Sequence, residues 1–295
     1  MNAKTRPVVI GVDGSAASQN AVRWGIALAE RRQSPVQLLH AYDPTINETR
    51  IGEEFRVTVL AAVHEAARDQ LEAARAQAVD IQPGLALTTR LVEDSAATAL
   101  ISASFGAEAL VLGAQGASGF SSIVAGSTAM HVATHARCPV VTVPASESAA
   151  HAGSGVVVGV DGSALSDAAI GFAFREAAET GGTVTAVLAW IEPLTWTVIA
   201  AALPTHEATS RLQQAHEQLL TWVQPWSEKY PDVVVHRRVV NDLPARALAA
   251  ASDGAQLLVV GCRGRRAVSS MMLGSVGHGV LHLATCPVAV VHTEC

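Results

Sequence analysis

Short runs of β-branched residues alternate with longer runs of helix-period apolar positions along the whole chain, and the alternation is played out twice. In the first half Val8–Val12 predicts a strand ending at Asp13, and Ala16–Arg32 a helix with Ser15 as its N-cap. A strand over Val36–Ala41, a helix over Glu53–Val79 rich in helix formers, a strand over Leu85–Val92 and a short helix over Ala96–Phe105 follow. Ala109–Leu112 is a buried strand ending at Gly113, Thr128–Ala136 a helix and Val140–Val143 a last strand. The second half predicts the same order over Val156–Val160, Ser166–Thr180, Val184–Trp190, Glu207–Lys229, Val233–Val240, Ala245–Asp253, Leu257–Val260, Val276–Ala284 and Val288–Val291.

The recurrence is literal. Residues 8–15 read VVIGVDGS and residues 156–163 read VVVGVDGS, an offset of 148. The same offset places Gly113 on Gly261, Gly116 on Gly264, Gly126 on Gly274, Ser127 on Ser275 and Cys138 on Cys286. A constant offset implies duplication, with one domain over residues 1–147 and a second over 154–295, joined through the Ser/Ala/Gly stretch Ala145–Gly155. Continuously apolar strands alternating with helices indicate a parallel sheet covered on both faces. The fold class expected is therefore α/β, with two tandem doubly wound five-stranded parallel-sheet domains. Their binding crevices should lie outside the carboxyl ends of the strands, where strand order reverses.

Composition narrows the partners. The 295 residues are 49% apolar and 16% charged, which is material for buried cores. Each half carries a net charge of −3, from 11 basic and 14 acidic residues before position 151 and 9 and 12 after it. An acidic chain with no basic block is a poor match for a nucleic-acid backbone. The mean hydropathy is +0.29, yet the longest nearly uncharged segment, Pro193–Leu203, is too short to span a bilayer. With no visible signal peptide, the expected compartment is the cytoplasm, without membrane insertion. Cys138, Cys262, Cys286 and Cys295 lack C-x-x-C spacing, as reduced thiols would.

Candidate chemistry gathers after strands one and four. Gly113-Ala-Gln-Gly116 is followed nine residues later by Gly126-Ser127, and Gly261-Cys-Arg-Gly264 by Gly274-Ser275. Glycines allow positive φ and close approach of backbone to a ligand, and the following helix offers N–H groups to an anion. Ser127 and Ser275 are placed to cap that helix or to meet a phosphate oxygen. A turn of this kind also serves as a plain strand-to-helix connection, but two copies with identical spacing favour a site. Asp13 and Asp161 end strand one, where a carboxylate can accept from a ribose hydroxyl or an adenine amine; the alternative is a turn aspartate in Asp-Gly-Ser. The second loop holds Arg263, Arg265 and Arg266, whereas Gly113–Ser127 has no basic residue and must rely on backbone and hydroxyls such as Ser118, Ser121, Ser127 and Thr128. Arg263, between the paired glycines, is best placed for phosphate, which makes the second site the tighter one; solvated loop arginines are the alternative.

Other constellations carry less. His131/His135 and His278/His282 have i,i+4 spacing but no third ligand and no H-E-x-x-H, so surface or capping histidines are the better account and no metal site is expected. Cys262 reads as a small packing residue, although arginines beside it would lower its pKa. Trp190 and Trp196 shape an adenine pocket or a partner surface, or simply pack in the core. No P-loop, no G-x-G-x-x-G after strand one and no G-x-S-x-G elbow is present.

The glycine pattern with its strand-one aspartates resembles the universal stress protein family in its tandem form, over nearly the whole chain. Gly-x2-Gly-x9-Gly-(Ser/Thr), that family's ATP-binding pattern, is met by Gly113, Gly116, Gly126 and Ser127 and again by Gly261, Gly264, Gly274 and Ser275. The resemblance implies an adenine nucleotide alpha hydrolase-like fold and ATP in each domain, with Mg as a possible companion. Adenine and ribose would lie near Gly11, Asp13, Gly159 and Asp161, with the phosphates on the glycine loops. Gln115, Gly119, Thr128 and Val276 complete the candidate contacts together with the three arginines. Homodimers or pseudo-dimers are implied too, through last strands that here are Pro139–Val143 and Pro287–Val291; edge strands of this kind invite pairing between the two units or between chains. The function expected is a nucleotide-dependent regulator of stress response or dormancy, not an enzyme, with an unidentified regulatory partner. A slow ATPase and an AMP or cyclic-AMP binder are the alternatives.

Overall fold

The computed structural model describes residues 6–43, 53–116, 125–146, 155–190, 206–264 and 272–292. They fall into two compact units, one within residues 1–150 and one within 151–293. Unit one runs β1 (Val8–Gly11), α1 (Ala16–Arg32), β2 (Val36–Tyr42), α2 (Glu53–Ile81), β3 (Leu87–Glu93), α3 (Ala96–Ser104), β4 (Ala109–Gly113), α4 (Ser127–His135) and β5 (Val140–Val143). Unit two runs β6 (Gly155–Gly159), α5 (Ala164–Thr180), β7 (Thr183–Trp190), α6 (His206–Lys229), β8 (Val234–Asn241), α7 (Pro244–Ala251), β9 (Leu257–Gly261), α8 (Ser275–Leu283) and β10 (Val288–Val291).

Within unit one the strand order is β3-β2-β1-β4-β5, all parallel; within unit two it is β8-β7-β6-β9-β10, again all parallel. In unit one α1 and α2 pack together, as do α3 and α4, and each pair leans on the sheet. This is the doubly wound α/β fold that continuously apolar strands demand: Val8, Ile10, Leu110, Val111, Val140 and their unit-two counterparts are fully buried. β3 and β8 differ because they are edges. None of their residues is buried, Thr88–Arg90 and His236–Arg238 are exposed in succession, and Arg90, Arg237 and Arg238 discourage a further strand. Order reverses between β1 and β4, and between β6 and β9, so each unit opens a crevice at the carboxyl ends of those strands.

Predicted element bounds shift by a residue or two, most at the third strand, which begins at Leu87 rather than Leu85. Ser15 caps α1 as expected, accepting a hydrogen bond from the Ser18 N–H at 3.1 Å, and Ser163 caps α5 the same way through Ser166. At the far end of α1, Gln33 holds φ 50, the only non-glycine residue with positive φ among the described residues. The repeat offset puts Gly181, φ 65, in the same place in unit two. Side chains resist this left-handed conformation, so Gln33→Gly is expected to stabilise unit one by about 0.5–1 kcal/mol after allowing for glycine's extra freedom when unfolded. Thermal unfolding of the variant checks it; a lowered Tm would show that the Gln33 side chain contributes more than the strain costs.

Candidate functional site

The crevice of unit one starts from the end of β1. At Gly11 a Cβ would stand 3.2 Å from the Leu100 side chain, so strand and α3 approach as closely as they do only without one. The Val12 N–H donates to the Leu39 carbonyl at 2.9 Å. The Val12 carbonyl takes a 2.6 Å hydrogen bond from Nδ1 of the buried His40. A carbonyl only accepts, so the proton sits on that nitrogen. Asp13 then folds back: its Oδ1 accepts from the Ser15 N–H at 3.0 Å and the Ser15 hydroxyl at 2.6 Å, while Gly14 turns with φ 78. Unit two repeats the arrangement, with Asp161 Oδ1 accepting from Ser163 at 3.0 and 2.7 Å and Gly162 at φ 76. The turn role weighed for these aspartates is therefore real at Oδ1. Oδ2 faces the other way, 3.1 Å from where a Cβ of Gly116 would stand in unit one and 2.5 Å from that of Gly264 in unit two.

The loop glycines do a different job from the one their spacing suggests. None of Gly113, Gly116, Gly126, Gly261, Gly264 and Gly274 adopts positive φ; among described residues that conformation falls to Gly14 and Gly162 in the turns, and to Gly84, Gly181 and Gly254. At Gly113 a Cβ would lie 2.9 Å from backbone atoms of Ala17 and Ser18, and at Gly261 2.9 Å from the Leu165 carbonyl. The first glycine of each loop is thus needed so that β4 or β9 can pass under the first turn of α1 or α5. The second leaves room for the aspartate. The third closes the neck: the Gly126 N–H donates to the Ala114 carbonyl at 2.7 Å and the Gly274 N–H to the Cys262 carbonyl at 2.9 Å.

That closure also moves the helix start. Gly126 and Gly274 are the N-caps, with ordinary φ of −64 and −62 and no side-chain cap bond. Ser127 and Ser275, expected as caps, are instead the first helical residues, because the extended backbone of the preceding glycine takes the cap position. The first turn of α4 consequently presents its N–H groups toward the crevice without a side chain bonded across them.

The cavity in unit one measures about 280 Å³. Its lining combines polar groups, Asp13, Gln115, Ser127, Thr128 and the backbone at Gly11, Gly113, Gly116 and Gly126, with an apolar wall of Val12, Leu39, Ala41, Ala96, Leu100, Leu112 and Ala129. The structure thus brings together every unit-one candidate except Gly119, which lies outside the described residues with Ser118 and Ser121. In unit two Gly159 packs on Leu248, the counterpart of Leu100, with a Cβ 2.9 Å from the leucine side chain. The offset carries most of the wall over as Val160, Val187, Ala189, Leu248 and Val260, but replaces Ala129 by Gly277, Ala96 by Pro244, Gln115 by Arg263, Thr128 by Val276 and His40 by Leu188. Arg263 is half-buried, with its Cα 3.3 Å from the position of a Gly274 Cβ, at the neck of the loop. Arg265 and Arg266 lie outside the described residues, as does Trp196.

The apolar wall and His40 escaped sequence reading. Leu39 and Ala41 alternate along β2, and Ala96 and Leu100 share one face of α3, but only the fold sets those faces against Gly11. Trp190 stands where unit one has Tyr42, whose hydroxyl donates to Glu93 and bonds Nδ1 of His64 at 2.7 Å. The Glu93 hydrogen bond pushes the Tyr42 phenol up to about 12. Tyr42 does not line the unit-one cavity, and Trp190 is half-buried at the end of β7. In unit two the Trp222 ring stands against Gly162 instead, closing over the Asp161 turn.

Cys138, Cys262 and Cys286 are buried. Burial pushes the Cys138 thiol up to about 12 and raises Cys286 too, which suits inert packing residues. The rings of His131 and His135 lie 4.5 Å apart and those of His278 and His282 4.7 Å. Among described residues no group of three or more His, Cys, Asp or Glu could hold a metal ion, and no helix is long and apolar enough to cross a membrane.

Comparison with known proteins agrees with this geometry. The model of the Universal stress protein family matches residues 4–144 and again 155–292. A universal stress protein of Mycolicibacterium smegmatis is 36% identical over 288 residues, 96% of each chain. One from Mycobacterium tuberculosis is 33% identical over 294 residues, 97% of each. The crystal structure of a universal stress protein from Archaeoglobus fulgidus superposes with a TM-score of 0.68 at 18% identity, covering 98% of this chain and 97% of the other, a likeness of fold.

Proposed function

The chain belongs to the universal stress protein family, and on that premise we propose that it is a regulator that binds an adenine nucleotide, ATP foremost, in each of its two units. The observation that carries this is the crevice at the switch point of unit one. Its apolar wall from Val12 to Ala129 suits the face of a base, and its polar groups pair Asp13 with the neck of the glycine loop and the open first turn of α4. At about 280 Å³ it lies near the small end of ligand pockets, roughly 300–1,000 Å³. That volume suits the adenosine half of a nucleotide, leaving the phosphates along Gly116, Gly126, Ser127 and Thr128. A carboxylate has acceptor capacity beyond the two bonds at Oδ1, so Asp13 serves both its turn and a ribose hydroxyl or adenine amine. α4 contributes N–H groups and the positive end of its dipole to an α- or β-phosphate, and a Mg ion accompanying ATP would neutralise the remaining phosphate charge.

Binding rather than hydrolysis fits this chemistry. Among the described residues Asp13 is the one ionisable side chain lining the unit-one cavity, and on this reading it meets the adenosine end. Activating water at a terminal phosphate needs a base placed there. Occupancy would act by changing the units' surfaces for a partner in stress or dormancy.

Calorimetric titration of nucleotide-free chain with ATP and with adenosine tests the reading. Saturable binding of both, approaching two ATP per chain, is expected. No heat of binding and no thermal stabilisation at millimolar ligand would overturn it.

A further inference from the structure

We infer that the two crevices weigh the charge of an adenine ligand differently: unit two favours a polyphosphate over adenosine more strongly than unit one does. The inference rests on the adenine-nucleotide reading above and adds how each site weighs phosphate charge. Among the described residues, the unit-one cavity is lined by one ionisable side chain, the Asp13 carboxylate. Between the paired glycines it carries the neutral Gln115, and the loop from Gly113 to Ser127 holds no Lys, Arg or His. Each phosphate added to adenosine there increases repulsion from Asp13, and among the described lining residues it is met by N–H, amide and hydroxyl donors. An adenosine or a monophosphate satisfies the cavity; the outer phosphates of ATP gain little.

Unit two reverses the balance. Arg263 replaces Gln115 at the loop neck, where its backbone abuts the Gly274 N-cap of α8, so its side chain starts from the same corner that offers helix N–H groups. Meanwhile the Thr128 hydroxyl is exchanged for Val276, and His40, which donates to the strand-one carbonyl in unit one, for Leu188. Against the Thr128 hydroxyl and the Gln115 amide of unit one, unit two sets Val276 and a guanidinium fork that pairs with phosphate oxygens. The apolar positions shared by both units, from Val12/Val160 to Leu112/Val260, give them similar affinity for the adenosine moiety itself.

The test is a reciprocal exchange, Gln115→Arg and Arg263→Gln, in the full chain, titrated calorimetrically with ATP, AMP and adenosine at low and high NaCl. Each variant installs the residue that the sister unit already carries, and a thermal melt confirms folding. Wild type is expected to show two classes of ATP site, about ten- to a hundredfold apart, as one charge-assisted contact supplies. With adenosine the two classes should converge within about threefold. Arg263→Gln should abolish the tighter ATP class and its salt sensitivity while sparing adenosine, and Gln115→Arg should raise the weaker class. Two equal ATP classes in wild type, or an Arg263→Gln loss shared equally by adenosine, would overturn the inference while leaving nucleotide binding standing. Failure of adenosine and ATP alike to bind either unit would instead remove the reading on which it rests, and the inference with it.

Discussion

Gly113→Ala and Gly261→Ala are each expected to cost their unit about 1–3 kcal/mol and to lower its Tm by several degrees, before any question of ligand arises. A methyl group at Gly113 would lie 2.9 Å from Ala17 and Ser18 of α1, and at Gly261 2.9 Å from the Leu165 carbonyl of α5. Those neighbours are backbone, which cannot swing aside as a side-chain tip can. Either α1 lifts from β4 or the loop departs from its neck. Gly126→Ala is the control: its Cβ would meet the Ala114 carbonyl at an ordinary 3.6 Å and its φ of −64 suits alanine, so only a small cap penalty is expected. Calorimetric unfolding of the three variants separates the cases. A Gly113→Ala chain with wild-type Tm but no nucleotide affinity would show that the glycine meets the ligand rather than the helix.

The second large effect is at Asp13. Asp13→Ala removes the carboxylate that takes both Ser15 bonds, and it should weaken nucleotide at the unit-one site about ten- to a hundredfold, with roughly 1 kcal/mol of stability lost. Ser15→Ala isolates the turn from the ligand. It deletes the cap bond to Ser18 and the hydroxyl bond to Asp13, costing about 1 kcal/mol of stability, but it leaves the carboxylate in place, so affinity should fall less than about threefold. Two-site titrations paired with thermal melts read both quantities. Equal losses of affinity in the two variants would mean that Asp13 acts through the turn alone.

These contrasts mark where sequence reading ends. The doubled VVIGVDGS and VVVGVDGS segments, the apolar strands and the Ser15 and Ser163 caps are local signals, and the structure repeats them within a residue or two. The loop spacing marks positions that need to lack a Cβ, yet it does not say what each would strike: the first turn of α1 at Gly113, the Asp13 carboxylate at Gly116, nothing close at Gly126. Ser127 looked like the cap because serine prefers that position, but the Gly126 bond to Ala114 pulls the extended residue one place earlier. Leu39, Ala41 and Leu100 were unremarked core leucines and alanines until the crossing of β2 and α3 brought them to one wall. The His40 bond to Val12 joins residues 28 apart on neighbouring strands, a pairing that register decides and periodicity does not.

The account stands or falls on whether adenine nucleotide occupies these crevices. Mass spectrometry of the small molecules released when freshly purified chain is denatured measures that directly. ATP or another adenine nucleotide, at up to two per chain and reduced by Asp13→Ala and Asp161→Ala, is the result expected from the duplicated site. Released material free of any adenine nucleotide, from chain that also fails to bind ATP or adenosine when they are added at millimolar concentration, would contradict it.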